Sequence, residues 1–448
     1  MTLMQTQTIR LALASSFLFT LAGCSGGLFG GGETRNTPTV GERMPILSRI
    51  ENAVEADPAL AGTPVALPAA QANAEWAQAG GTASKAYGHL ALGDGLTRAW
   101  TGTVAGATNR RRLASSPVVG GGKLFAVGTD GVVTAFDANT GARVWSQGGT
   151  AAANLAGAQF GGGASFADGR VYATTGTGDV LALDANTGAP LWQVKPAGPL
   201  RGLPTVAFNL VFVMTQDNQI IALDAADGSI QWQESGSAQQ AGVFGVAAPA
   251  AGQGTVIAGY SSGELVAYRY ENGRVLWSDA LARTSISTEV GALTDIDADP
   301  IIADGRIYAL GQGGRMAAYD LLTGQRIWEL NLAGISTPAI AGEWIFTLTD
   351  DARLLAIARE TGKIRWITQL KRYRDEEDRE GPVFWTGPVL AGGQLWLASS
   401  EGEVWRVSPQ EGSASMFTDL QQPVSLAPVV ANQTLYVMDD SGRVSAFR

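Results

Sequence analysis

The residues able to do chemistry are few. The chain has 448 residues but a single cysteine, Cys24, and a single histidine, His89. Intrachain disulfides, Cys/His zinc sites and every Ser-His or Cys-His arrangement that needs a spare imidazole are therefore close to excluded. What remains is carboxylate chemistry. The run STEVGALTDIDADPII (287–302) carries Asp295, Asp297 and Asp299 at alternate positions beside Leu293 and Ile296. In extended backbone, alternation sends the carboxylates to one side and the apolar groups to the other. Three carboxylates so aimed could hold Ca²⁺, face an Arg or Lys patch on a partner, or form a solvated acidic loop. Calcium loops usually add a Gly turn and a downstream bidentate Glu, both missing here, so no metal and no catalytic residue is expected.

Charge and composition narrow the partners. Lys and Arg number 31 against 41 Asp and Glu, a net charge of −10, and no tract is basic enough for nucleic acid. Arg110, Arg111 and Arg112 are expected to pair with nearby carboxylates. KRYRDEEDREG (371–381) reads as a solvated, self-paired loop. Hydrophobic residues make up 45% of the chain and charged ones 16%, so most of it should fold. The balance favours a binder over an enzyme.

The elements that must position these residues come from a repeat. FDANTGARVW (136–145), LDANTGAPLW (183–192), LDAADGSIQW (223–232), YRYENGRVLW (268–277), YDLLTGQRIW (319–328) and IARETGKIRW (357–366) share a turn and a terminal Trp, with VSPQEGSASM (407–416) as a degenerate seventh copy. The mean spacing of their glycines, about 45 residues, is that of a propeller. Each block reads as four short strands joined by tight turns. Asp137, Asp184, Asp224 and Asp320 can accept backbone N–H bonds in the turn, Gly supplies a positive φ, and Trp can fill the space between blades. A catalytic residue is needed once and a turn residue in every blade, so these are read as structural. The last block ends at Arg448 without a fourth strand, while Leu96–Val104 (LTRAWTGTV) is a Trp-bearing strand with no block before it. Pairing the two closes an all-β, eight-bladed propeller of four-stranded antiparallel blades over 96–448 and removes the open edges.

Ahead of the ring, residues 1–23 read as a signal peptide with one basic residue, Arg10, and an apolar run from Leu11 to Leu21, too short to span a membrane. Leu21-Ala22-Gly23-Cys24 resembles the lipobox of bacterial lipoproteins, in which the Cys thiol carries diacylglycerol. By resemblance, Ser25 after the Cys directs the chain to the periplasmic face of the outer membrane rather than retention in the inner one. Residues 24–95, with the Gly cluster 26–32 and Pro58, Pro64 and Pro68, show no sustained period and are expected to be a flexible tether. Met44–Val54 could add a short helical turn.

Alternating strands put the blade-to-blade connections on one face and tight turns alone on the other, so binding is expected on the connection face. The long connections are 146–165, 233–248, 278–299 and 367–387. The repeat resembles that of the pyrroloquinoline-quinone-type propellers. With the lipobox and the closing strand at Trp100, it is similar to the propeller lipoproteins of the outer-membrane β-barrel assembly machinery. The most specific match is the 287–302 run, similar to that family's Ser-Thr-Glu…Leu-x-Asp-x-Asp-x-x-Pro segment. The resemblance implies a non-enzymatic scaffold without cofactor. Such a scaffold binds the periplasmic domains of the assembly protein BamA and its complex, assists folding and insertion of outer-membrane barrels, and could meet their unfolded chains. It implies Asp295 and Asp297 as partner-binding residues. The family's Leu-x-Leu-Arg is placed at Ala241, Val243 and Phe244, where Phe would stand in for Arg and make that contact apolar. Two other readings share the repeat: a quinone-dependent dehydrogenase, whose pattern asks for Ca²⁺ ligands and, in many members, paired cysteines, and an envelope-glycan binder using Trp344, Trp385, Trp396 and Trp405.

The lipobox generates a direct test. Cys24→Ala is expected to release the protein from membranes with its fold intact, because acyl chains contribute about 0.8 kcal/mol per buried methylene and nothing else in the reading holds it there. Pelleting of the variant with membranes after a high-salt wash would contradict the anchor.

Overall fold

The computed structural model describes residues 54–148, 162–237, 247–281 and 295–448. They form eight four-stranded antiparallel sheets arranged as the blades of a propeller. In blades 1 to 7 the strands follow chain order from the channel outward, as in blade 1: Val118–Gly120, Lys123–Val127, Val132–Asp137 and Arg143–Gly148. The middle strands are apolar on both faces because each blade is covered by two neighbours; Leu210–Met214 is buried at every position. Blade 8 takes its outer strand from Arg98–Thr103, which pairs with Arg443–Phe447 in the register Trp100↔Ala446. Reciprocal backbone bonds between Thr97 and Arg448, 2.7 and 2.9 Å, finish the closure. The ring therefore has the expected strand count, order and closing element.

The repeated turn does what its residues allow. The Asp137 carboxylate accepts from Asn139 N, Thr140 N and Thr140 Oγ1 at 2.8–3.0 Å, and Asp184 and Asp320 repeat the arrangement. The backbone donors and the threonine hydroxyl hold these carboxylates below the usual range. In every blade but the seventh, the Trp of the outer strand crosses to the next blade. There its Nε1 donates to a backbone carbonyl, Trp145 to Ala185 at 3.1 Å and Trp232 to Tyr270 at 2.7 Å. Its ring lies on the turn glycine: a Cβ at Gly141, Gly188 or Gly324 would sit 2.5–2.7 Å from the indole of Trp100, Trp145 or Trp277. The glycine thus answers two demands, a φ near +70° and a flat surface for the indole.

Residues 54–95 differ from the flexible tether expected of them. They form a strap across the end of the channel that carries the turns between each blade's first and second strands, and they touch the innermost strand of every blade. Trp76 exchanges backbone bonds with Val119 in blade 1 at 2.9 and 2.8 Å, and Ala77 accepts from Phe166 in blade 2 at 2.7 Å. The Gln78 amide pairs both ways with the Val206 backbone of blade 3, while Ala83 and Ser84 accept from Ala251 and Ile302 in blades 4 and 5. Gly342 of blade 6 packs on Pro68, Leu90 donates to Leu390 in blade 7, and Asn73 donates to Val430 in blade 8. Val65, Trp76, Leu90 and Leu92 are buried. The reading failed because the strap is held by main-chain and irregular contacts, which leave no hydrophobic period to detect. His89 belongs to it: Nδ1 faces Pro68 O at 2.8 Å and Nε2 accepts from Gly393 N at 2.9 Å.

Two glycines separate the demands on the turn. Gly169 has φ +75° with open space around a Cβ, whereas Gly188 has φ +73° with the Trp145 ring 2.7 Å away. Gly169→Ala is expected to cost about 1–2 kcal/mol from backbone conformation alone. Gly188→Ala should cost about 1–3 kcal/mol more from overpacking. Urea unfolding of the pair checks this, and equal losses would deny the indole contact its role.

Candidate functional site

The acidic run enters from the connection between blades 4 and 5, its backbone fixed by Ile296 N to Tyr260 O at 3.2 Å and Gln312 N to Asp295 O at 2.9 Å. The expected alternation holds. Ile296 and Ala298 pack into the interblade core, fully buried, while Asp297 and Asp299 line the channel. The expectation that these carboxylates are free for a partner does not hold. Asp295, Asp297 and Asp299 are 1%, 8% and 9% exposed. Arg201 Nη2 lies 3.0 Å from Asp295 Oδ1 and 3.4 Å from Asp297 Oδ1. The Asp299 carboxylate accepts from Ala248 N at 2.7 Å, its backbone N–H donates to Thr337 Oγ1 at 3.0 Å, and it feels the ammonium of Lys85, a buried strap residue that donates to Thr205 Oγ1. Residues 295–299 are buried among the neighbouring blades and the strap, so their charges had to find internal partners.

Arg201 itself comes from the connection between blades 2 and 3, held by Arg201 N to Met214 O and Gly162 N to Arg201 O. A Leu-Arg pair, Leu200-Arg201, stands one connection earlier than the one that holds Val243 and Phe244. The signal was in the sequence, but the segment is short and lay outside the long connections. Cys24, Ala241, Val243 and Phe244 lie outside the described residues.

One guanidinium serves two buried carboxylates, and the electrostatics show the imbalance. Burial pushes Asp297 up to about 7, helped by the charge of Asp295 and opposed by Arg201. Asp295 is raised by burial despite Arg201, and Asp350, on the same face in blade 6, is pushed up to about 6 by burial and by Asp351. Burial also drops Lys85 to about 8, against the pull of Asp299. Among the described residues no His, Cys, Asp or Glu side chains are grouped to hold a metal ion, and the carboxylates of the calcium reading are engaged with Arg201 and Lys85.

With the strap across its far end, the channel becomes a cup open to the connection face, about 480 Å³ in volume. Trp76, Gln78, Gly80 and Tyr87 form its floor, and residues preceding the innermost strands form its wall. The sequence reading missed the cup because its floor was taken for a tether.

Residues 129–368, more than half of the chain, match the family model described as outer membrane protein assembly factor BamB. The chain belongs to the BamB family. It is 28% identical over 357 residues to BamB of Yersinia pestis, covering 78% of this chain and 88% of the relative. Against BamB of Vibrio cholerae it is 34% identical over 252 residues, 56% of this chain and 64% of that one. The crystal structure of BamB from Moraxella catarrhalis superposes with a TM-score of 0.67 at 22% identity, over 79% of this chain and 99% of that one. A quinohemoprotein alcohol dehydrogenase from Comamonas testosteroni reaches the same TM-score at 15% identity, over 89% and 83%. At such identities a likeness shows the fold alone. Of the other sequence candidates, Trp344 and Trp396 are buried in the ring, Trp385 lines the cup, and Trp405 donates to Glu403. In the 371–381 hairpin, Glu376 accepts from the backbone of Arg372 and Tyr373, and Arg374 pairs with Glu401.

The ion cluster predicts a pH-dependent cost. Asp297 keeps its proton in the folded state up to about 7 and would lose it near 3.8 when unfolded, so its contribution to stability falls as pH rises through that window. Arg201→Ala removes the cation and is expected to cost about 3–5 kcal/mol at pH 8, above the value of about 7 at which Asp297 loses its proton, and distinctly less at pH 5, where Asp297 is neutral. Urea midpoints at the two pH values measure the difference; a pH-independent loss would mean that Arg201 acts through packing alone.

Proposed function

We propose that this chain is a non-enzymatic scaffold lipoprotein of the outer membrane's periplasmic face, binding the periplasmic domains of BamA through its connection face and assisting insertion of outer-membrane barrels. Membership of a family described as outer membrane protein assembly factors carries the reading. The structure supports its geometry: the strap occupies the opposite end of the channel, and the cluster that ties the second connection to the fourth lies on the open face. In this reading Asp295 and Asp297 serve the partner by holding two connections in fixed positions around Arg201. Val243 and Phe244, in the connection between blades 3 and 4, add apolar contact. Such a rigid frame lowers the ordering cost of association.

Titration of purified BamA periplasmic domains tests this. Wild type should bind. Asp297→Asn, which keeps the shape and removes the charge, should weaken binding modestly, and Phe244→Ala should weaken it with little salt dependence, because an apolar contact is not screened. Reversal of Asp295 and Asp297 to Arg would set two buried cations against Arg201 and should cost fold stability as well as affinity. No binding by wild type at low salt would overturn the proposal. A stoichiometric cofactor spectrum on adding pyrroloquinoline quinone with Ca²⁺ would favour the dehydrogenase reading instead.

A further inference from the structure

Two charged patches on the connection face find no partners within the chain. The first is Arg110, Arg111 and Arg112, between the closing strand and blade 1. A tight turn presents them: Thr108 Oγ1 accepts from Arg110 N and Arg111 N at 3.3 and 3.1 Å, and Thr108 N donates to Arg111 O at 2.8 Å. The pairing expected of these arginines is not made. Among the described residues none of the three guanidiniums forms an ion pair or a hydrogen bond. Asp130 and Asp440, on the turns that flank the loop, accept from Val132 N and Ser425 Oγ instead. The second patch is the tip of the hairpin Tyr373–Asp375 with Glu380–Pro382, in the connection from blade 6 to blade 7. Asp375 and Glu376 spend their carboxylates on backbone N–H groups of the hairpin, Arg374 is held by Glu401, and Arg372 lies over the Tyr373 ring. Glu377, Asp378 and Glu380 are exposed and form no ion pair or side-chain hydrogen bond among the described residues, with Arg379 the one cation between them. Both patches border the same apolar rim: Arg112, Ile335 and Phe384 all line the cup, and Ile335 and Phe384 are 51% and 66% exposed.

We propose that the connection faces of two copies of this chain pack together as an isologous dimer, each copy's arginine triplet against the other's hairpin tip, around a rim of Phe384 and Ile335. A two-fold axis lying in that face, between the two patches, makes both contacts at once, because it carries each patch onto the position opposite the other. The chemistry is matched, since a guanidinium presents paired donors to a carboxylate's two oxygens. Exposed pairs of this kind are weak singly and are screened by salt, so the dimer loosens as ionic strength rises. It also covers the face assigned above to BamA, so the dimer and that complex exclude one another.

Sedimentation equilibrium of the mature full-length protein in density-matched detergent tests this. Wild type should show a concentration-dependent dimer at low salt, about tenfold weaker at high salt. One variant carries Arg110→Glu, Arg111→Glu and Arg112→Glu together, and a second carries Glu377→Lys, Asp378→Lys and Glu380→Lys. Each alone should stay monomeric, because both contacts of its homodimer would set like charges together. Mixed one to one, the two variants should regain the dimer, because triplet and tip then carry opposite charges at both contacts. Circular dichroism melts matching wild type confirm that the variants fold, and Phe384→Ser should weaken the wild-type dimer with little salt dependence. Wild type that stays monomeric at low salt, or a mixture that does, overturns the proposal. Dimers formed by each variant alone would put the interface elsewhere and overturn it too. Monomeric wild type that binds a hexaglutamate peptide, with the binding lost in the arginine variant, would assign the triplet to a different acidic protein. BamA domains should dissociate the dimer, and binding that leaves it intact would refute the shared face. BamA domains that do not bind wild type at all would refute the function proposed above and leave the dimer standing.

Discussion

Everything in this molecule depends on the contact between a tryptophan and the next blade's turn glycine. Blades of a propeller share no hydrogen-bonded strands, so side-chain packing must join them. The indole supplies a broad apolar face and one polar handle. The face lies on a glycine whose missing Cβ makes the approach possible, and the handle finds a carbonyl that would otherwise be buried unpaired. Seven junctions use this device, the one from blade 8 to blade 1 through Trp100 on the closing strand. At the junction of blades 7 and 8, Met416 takes the Trp position and is 54% exposed. There the rings of Trp396, Phe417 and Phe447 pack edge to face, with centroids 5.2 and 5.4 Å apart.

A ring locked in this way has two unlike ends. Each innermost strand leaves main-chain groups facing the channel, and the strap satisfies them at one end, blade after blade. The cost of ordering some forty residues is offset by contacts with all eight blades and by burial of Trp76, Leu90 and Lys85. Among the described residues, closing that end turns a through-channel into a cup that opens toward the connection face.

The charges on that face are organised by the same burial. Arg201, Asp295 and Asp297 come from connections far apart in sequence, and Lys85 and Asp299 join the strap to the ring. Buried ion pairs add little net stability compared with apolar packing, but breaking one leaves an uncompensated charge, so they fix which segments must meet. Their role here is one of register between loops.

Most of the fold could be read from residues with local jobs. The Asp-x-x-x-Gly turn, the Trp four residues later and the unpaired strand at Trp100 each act within one blade or at one junction and recur, so the period, the blade count and the closure follow from the amino-acid sequence. The alternation of Asp295, Ile296, Asp297 and Ala298 was readable for the same reason. What could not be read was environment. Whether Asp297 faces water or Arg201 depends on a segment 96 positions away, and neither pattern nor propensity carries that distance. Residues 54–95 look like a linker because their partners are mostly main-chain groups of seven separate strands, which impose no period on the side chains that meet them. Burial, ion pairing and the closed floor of the cup arise only when the ring brings those strands together around one axis.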